Sequence, residues 1–115
     1  MPQLTDLSSL EHLCRGDQER VKEYVQNYLD AAPDLLNVLV TLVKVGDGER
    51  LAAAAPSLLP QIRYMGAGQL LDLLTGIGDK ARAEGTAACA AQVDEAVALN
   101  EKVMAELRER PGQMS

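Results

Sequence analysis

The sequence predicts an all-α protein, an antiparallel up-down four-helix bundle with a short additional helix at its N-terminus. Three observations lead there. Leu and Ala dominate while Phe and Trp are absent, leaving Tyr24, Tyr28 and Tyr64 as the large aromatic side chains, a bias toward helix formers and away from strand formers. Apolar residues recur at helical spacing through long segments. Breaks at Gly16-Asp17, Gly46-Asp47-Gly48, Gly66-Ala67-Gly68, Gly85-Thr86 and Pro111-Gly112 cut the chain into five such segments. At 115 residues there is room for one core, so residues 1–110 are read as a single domain and 111–115 as a C-terminal tail.

The first segment, Asp6 to Cys14, places Asp6 as an N-cap and Leu7, Leu10 and Cys14 on one face. The second, Asp17 to about Lys44, carries the seam Val21, Val25, Tyr28, Ala32, Leu35, Leu39 and Leu42, the spacing of a helix packed lengthwise. Pro33 lies in its middle and deletes one backbone hydrogen bond, but the seam keeps phase across it, which predicts one long kinked helix. The third, about Gly48 to Met65, repeats the pattern with Leu51, Ala55, Leu58, Ile62 and Met65. In the fourth, Ala67 to Glu84, the inward residues are Ala67, Leu70, Leu74, Ile77 and Ala81; a close helix crossing would justify the helix-weakening Gly76 and Gly78. The fifth, Thr86 to Arg110, has Thr86 as N-cap and Cys89, Val93, Val97, Met104 and Leu107 inward. Asn100 falls near that seam and reads as a hydrogen-bonded register residue. Glu101, Glu106, Arg108, Glu109 and Arg110 read as a solvated helix end.

Composition excludes several functions. The formal charge of −6, with no basic stretch, argues against nucleic acid, because phosphate binding needs clustered Lys and Arg. No apolar run approaches the ~20 residues of a membrane span, and Met1 to Thr5 lacks the start of a signal peptide. Cys14 and Cys89 form neither a CxxC nor a His–Cys cluster, so no metal or other cofactor is expected, and a reduced, cytoplasmic protein is. Both cysteines fall on apolar faces, where a thiol behaves as a small hydrophobe. No acid–base pair, triad or phosphate-cradling loop is present, so catalytic residues are expected to be none.

The third segment carries a sharper signal. The run Ala54-Ala55-Pro56-Ser57-Leu58-Leu59-Pro60-Gln61-Ile62-Arg63-Tyr64-Met65-Gly66 resembles the signature of histidine-phosphotransfer (HPt) domains. That signature is His-x-Leu-Lys-Gly or His-x-Leu-Lys-Pro, with a helix-ending glycine six residues on. Leu58, Pro60, Met65 and Gly66 match it. Tyr28 to Leu36, with its acidic middle around Ala32-Pro33, resembles the family's second helix, and Gly46-Asp47 its turn into the site helix. The resemblance spans about Leu4 to Leu107 and implies a cytoplasmic module of two-component or phosphorelay signalling.

The chain departs from the family at the chemistry. Pro56 stands where the resemblance places the phosphoaccepting histidine, and Leu59 where it places the neighbouring lysine. A neutral imidazole nitrogen can attack an aspartyl phosphate and hold the phosphoryl group, whereas proline has no side-chain nucleophile. Leucine cannot supply the positive charge that steadies the transferring group. His12, the only histidine, belongs to the first helix and reads as a solvated imidazole. Helical spacing places Ala52, Pro56, Leu59, Pro60 and Arg63 together, opposite the core seam, with Leu59 and Pro56 central and exposed. In an HPt domain this face docks a response-regulator receiver domain, so the resemblance implies a receiver domain or histidine kinase as partner. The same apolar face would serve a homodimer of a purely structural bundle protein. The carbonyls of Ala52 and Pro56, deprived of donors by the two prolines, are expected to be open on the partner side.

Overall fold

Asp17 opens the longest helix. Its Oδ1 accepts the backbone N–H groups of Glu19 and Arg20, and the helix that follows, Gln18–Val45, ends where Gly46 turns left-handed at φ 74°. At about 1.5 Å per residue such a helix is ~42 Å long, which accounts for the 44 Å long axis of the molecule. In this computed structural model, which describes residues 4–109, the elements in order are α1 (Ser8–Leu13), α2 (Gln18–Val45), α3 (Gly48–Ala54), α4 (Leu59–Tyr64), α5 (Gly68–Glu84) and α6 (Ala90–Arg108). Short 3-10 turns at Ala55–Leu58 and Ala87–Cys89 join α3 to α4 and lead into α6. The chain is all-α, with no strand among the described residues. Arg110 and the 111–115 tail lie outside the described residues.

Both α2 and α5 pack against α3, α4 and α6. The core between them is built from the apolar stripes the spacing predicts. Val21, Val25, Tyr28, Ala32 and Leu39 of α2 are buried, as are Leu51, Ala55, Leu58, Ile62 and Met65 of the third segment and all five predicted residues of the fourth. Pro33 does not interrupt α2. Past it the buried residue is Leu36 rather than the expected Leu35, which sits half-buried at the edge, as does Leu42. In α6 the stripe is wider than expected: Ala96, Asn100 and Val103 are buried and Val97 is only partly so. Thr86 does not cap with its side chain; its carbonyl accepts the Cys89 N–H at 2.9 Å and closes the 3-10 turn instead. Gly78 is buried where α5 crosses α3, while Gly76 faces open space and no crossing explains it.

The N-terminal residues cross the end of the helical core. The N-cap of α1 is Leu7, not the expected Asp6, which lies one residue earlier and accepts the N–H and the hydroxyl of Ser8 through Oδ1. The Asp6 N–H donates to the Met65 carbonyl at 3.0 Å, and the Leu4 N–H donates to Glu106 Oε2 at 2.8 Å. Glu106 is therefore not part of a solvated helix end but holds the N-terminal segment. Gly66 has φ +66°, and a Cβ there would lie 2.1 Å from the Asp6 carbonyl oxygen, so only glycine admits this contact. No helix among the described residues is long and apolar enough to cross a membrane.

Candidate functional site

The third segment is not the single α-helix its period predicts. Two prolines divide it. Pro56 occupies an early position of the 3-10 turn Ala55–Leu58, and Pro60 an early position of α4, where a missing N–H costs least. Leu58, at φ −103° and ψ 8°, breaks the α ladder between them. The backbone stays right-handed through the junction, with Ala54, Ala55 and Leu59 all in the αR region, but tighter winding through the turn rotates the face that follows.

That rotation changes which residues face solvent. Pro60 and Arg63 are exposed, as expected. Ala52 is not: it is 4% exposed, and its carbonyl oxygen is 3.7 Å from where a Gly78 Cβ would stand. Ala52 thus belongs to the α3–α5 contact, because α5 covers the side of α3 that the spacing left free. Pro56 is half-buried, its Cδ 3.9 Å from the same point above Gly78. Leu59 is half-buried and packs against the core. The exposed crest runs instead through Ala53, Ser57, Pro60 and Arg63. Ser57 turns its hydroxyl back to donate to the Ala54 carbonyl at 2.7 Å, so it is not presented as a nucleophile. The expected open carbonyls also differ: Pro56's accepts the Leu59 N–H, closing the 3-10 turn, and Ala52's faces α5 rather than the crest.

Two concavities flank the crest. Toward α5 lies an open groove of about 490 Å³, lined by Gly48, Glu49, Ala52, Ala53, Ala81 and Arg82. Toward α2 lies a narrower crevice of about 120 Å³, lined by Tyr24, Asn27, Gln61, Tyr64 and Met65. Neither Ala53 and Ser57 nor the crevice residues stand out at the level of spacing. Only the Tyr24 and Tyr64 rings, rare in this chain, were a signal that could have pointed there.

Other candidates fall elsewhere. His12 is exposed on α1, outside the α3–α4 rod. Asp30 and Asp34, the acidic residues on either side of Ala32-Pro33, are exposed on α2, which packs against α3 and α4, and Asp30 accepts a hydrogen bond from Gln26 within that helix. Cys14 and Cys89 are buried free thiols; burial pushes the Cys89 thiol up, opposed by nearby Lys80 and reinforced by Glu84. Among the described residues no cluster of His, Cys, Asp or Glu could hold a metal ion. Comparison with protein-family models, curated proteins and solved structures finds no match to this chain.

Proposed function

We propose that the chain is an HPt-like interaction module, an antiparallel up-down four-helix bundle that docks a response-regulator receiver domain or a histidine kinase in the cytoplasm without carrying phosphate. The observation that carries this reading is the α3–α4 rod. It bears the signature-like run, keeps Leu58 and Met65 inside, ends at Gly66, and leaves an uncharged crest from Ala53 to Pro60 facing solvent with Arg63 at its end. The middle of the rod is the place where phosphoryl transfer would require a nucleophile and a cation. Pro56 offers a ring seated above Gly78 and Leu59 an alkyl group turned partly inward, so neither role is filled. What the rod offers is shape: an uncharged crest between an open groove toward α5 and a narrower crevice toward α2. A partner covering it would bury a standard or smaller area, about 1,200–1,600 Å² in total, and bind with micromolar affinity.

The test is calorimetric titration of the full chain with purified receiver domains from the same genome, with and without a phosphodonor. Saturable binding without transfer of label to the chain is the expected result. Absence of binding to any receiver or kinase domain, with light scattering showing a stable dimer, would replace this reading with self-association.

A further inference from the structure

Leu35 and Leu42, which the period of α2 assigns to the core, sit half-buried at its edge instead. On that side they join a second apolar line along the same helix: Ala31, Leu35, Val38, Leu42 and Val45, in steps of four, three, four and three. This is the spacing of a coiled-coil seam, about two heptads and ~21 Å long. Val38 is 47% exposed and Val45 67%, and the only other large hydrophobic side chain so exposed among the described residues is Leu13 on α1. A shallow recess of about 230 Å³ opens beside the middle of the seam, and its lining, Asn37, Val38, Thr41 and Leu42, comes from α2 alone.

Charge selects the occupant. One flank of the seam carries Asp34 toward its start and Lys44 toward its end, both exposed. The ion pairs among the described residues are Arg50–Asp47 and Arg82–Asp79, so neither Asp34 nor Lys44 is neutralised by a partner there. Two α2 helices related by an antiparallel two-fold axis bring the same flank of each copy together. With the axis at the height of Leu39, five residues from Asp34 and five from Lys44, each aspartate meets the partner's Lys44. The same register sets Leu35 near the partner's Leu42 and Val38 at the partner's recess, a knob facing a hole. A parallel pair would instead lay this polar flank against the Leu35 and Leu42 side. The seam is thus complementary to itself in apolar spacing and in charge at one register.

We infer that two copies of this chain pair antiparallel through the outer face of α2, residues 31–45. One helix pair of this length falls short of the standard interface of about 1,200–2,000 Å² in total, so the dimer is weak and fills only at high chain concentration. No crest residue lies on this face, and the inference does not depend on the docking reading.

The experiment is sedimentation equilibrium of the full chain alone, from low micromolar to near-millimolar concentration, with a thermal melt of each variant. The wild type is expected to pass from monomer to dimer. Val38→Glu and Val45→Glu are expected to weaken the dimer at least tenfold and to melt near the wild type, while Leu13→Glu leaves association unchanged. Asp34→Lys and Lys44→Asp each set like charges across the axis and are expected to weaken the dimer severalfold. Mixed in equal amounts, these two variants oppose unlike charges at both contacts, so their mixed dimer is expected to form at least as well as the wild type. Should a glutamate variant fail to fold, the charge variants decide alone. A mixture that stays as weak as its components refutes the antiparallel pairing. A dimer that survives both glutamate variants but dissociates in Ser57→Glu sits on the crest and refutes the α2 face. A wild type that stays monomeric throughout refutes the inference, and if Val38→Glu then weakens receiver binding, the face serves a different protein.

Discussion

Tyr28 of α2 donates its phenolic hydrogen to Oδ1 of Asn100 on α6 across 2.5 Å, and both residues are buried. This is a polar bond between two long helices inside an otherwise apolar core. Each partner satisfies the other, and neither has water to fall back on. Tyr28→Phe leaves the Asn100 amide unpartnered and should cost about 1–3 kcal/mol. Adding Asn100→Leu to Tyr28→Phe should recover part of that loss, because removing both polar groups is cheaper than stranding one. Chemical denaturation of the wild type, the singles and the double closes the cycle.

The same tyrosine sets a pH dependence. Burial pushes its phenol well above the ordinary value. The folded chain therefore keeps the proton after the unfolded chain has begun to lose it. Its contribution is fully present below the unfolded pKa of about 10 and is lost as pH rises from there through the folded value. The wild type should lose stability above pH ~10 more steeply than Tyr28→Phe, by up to about 1.4 kcal/mol per pH unit. Parallel profiles for the two would refute this.

Gly66→Ala should be the most damaging small substitution at the ends of the helices. Its φ of +66° strains any side chain, and the new methyl would meet the Asp6 backbone well inside contact distance. A loss of about 2–4 kcal/mol is expected from the two effects together. Hydrogen exchange at the Leu4 and Asp6 amides should accelerate in the variant, reporting release of the N-terminal segment.

The two glycines of α5 should respond alike to alanine and differently to bulk. Gly76 faces open space, and a Cβ at Gly78 would find only ordinary contacts with Ala52, Ala55 and Pro56. Each Gly→Ala change should therefore stabilise by about 0.5–1 kcal/mol through helix propensity. Gly78→Leu should instead wedge α5 from α3 and lower the melting temperature, while Gly76→Leu should not.

Incubation with a phosphorylated receiver domain should leave no acid-labile phosphate on the wild-type chain, His12 included. Label on the wild type would overturn the proposal that this chain docks its partner without carrying phosphate.

Much of the fold was legible because burial follows period. Leu70, Leu74 and Ile77, or Val21, Val25 and Tyr28, share a face whenever their segment is a helix, and the core had to form there. Asn100 was legible for the same reason: a polar residue near an apolar seam needs a partner. The partner, Tyr28, was not, because 72 residues separate them and period says nothing about which helix faces which. Leu59 shows how the candidate site slipped. Its spacing put it outside, but the prolines on either side tighten the backbone and turn it toward the core. Leu59→Glu thus mixes binding with stability, and Ser57→Glu on the crest is the cleaner probe.

The sequence by itself determined that this chain is helical, where most of its helices stop, which side of each is apolar, and that the signature-like position lacks a nucleophile. Those properties are local: they depend on propensity, on glycine and proline geometry, and on side-chain chemistry within a turn or two. Only the tertiary structure decided that Ala52 is covered, that Pro56 rests above Gly78, that Glu106 holds the Leu4 amide, and that Tyr24 and Tyr64 meet beside Gln61. Each of these depends on which second helix or segment arrives at a given face and at what height. That is settled by the packing of whole surfaces against one another, a quantity that no single stretch of the chain contains.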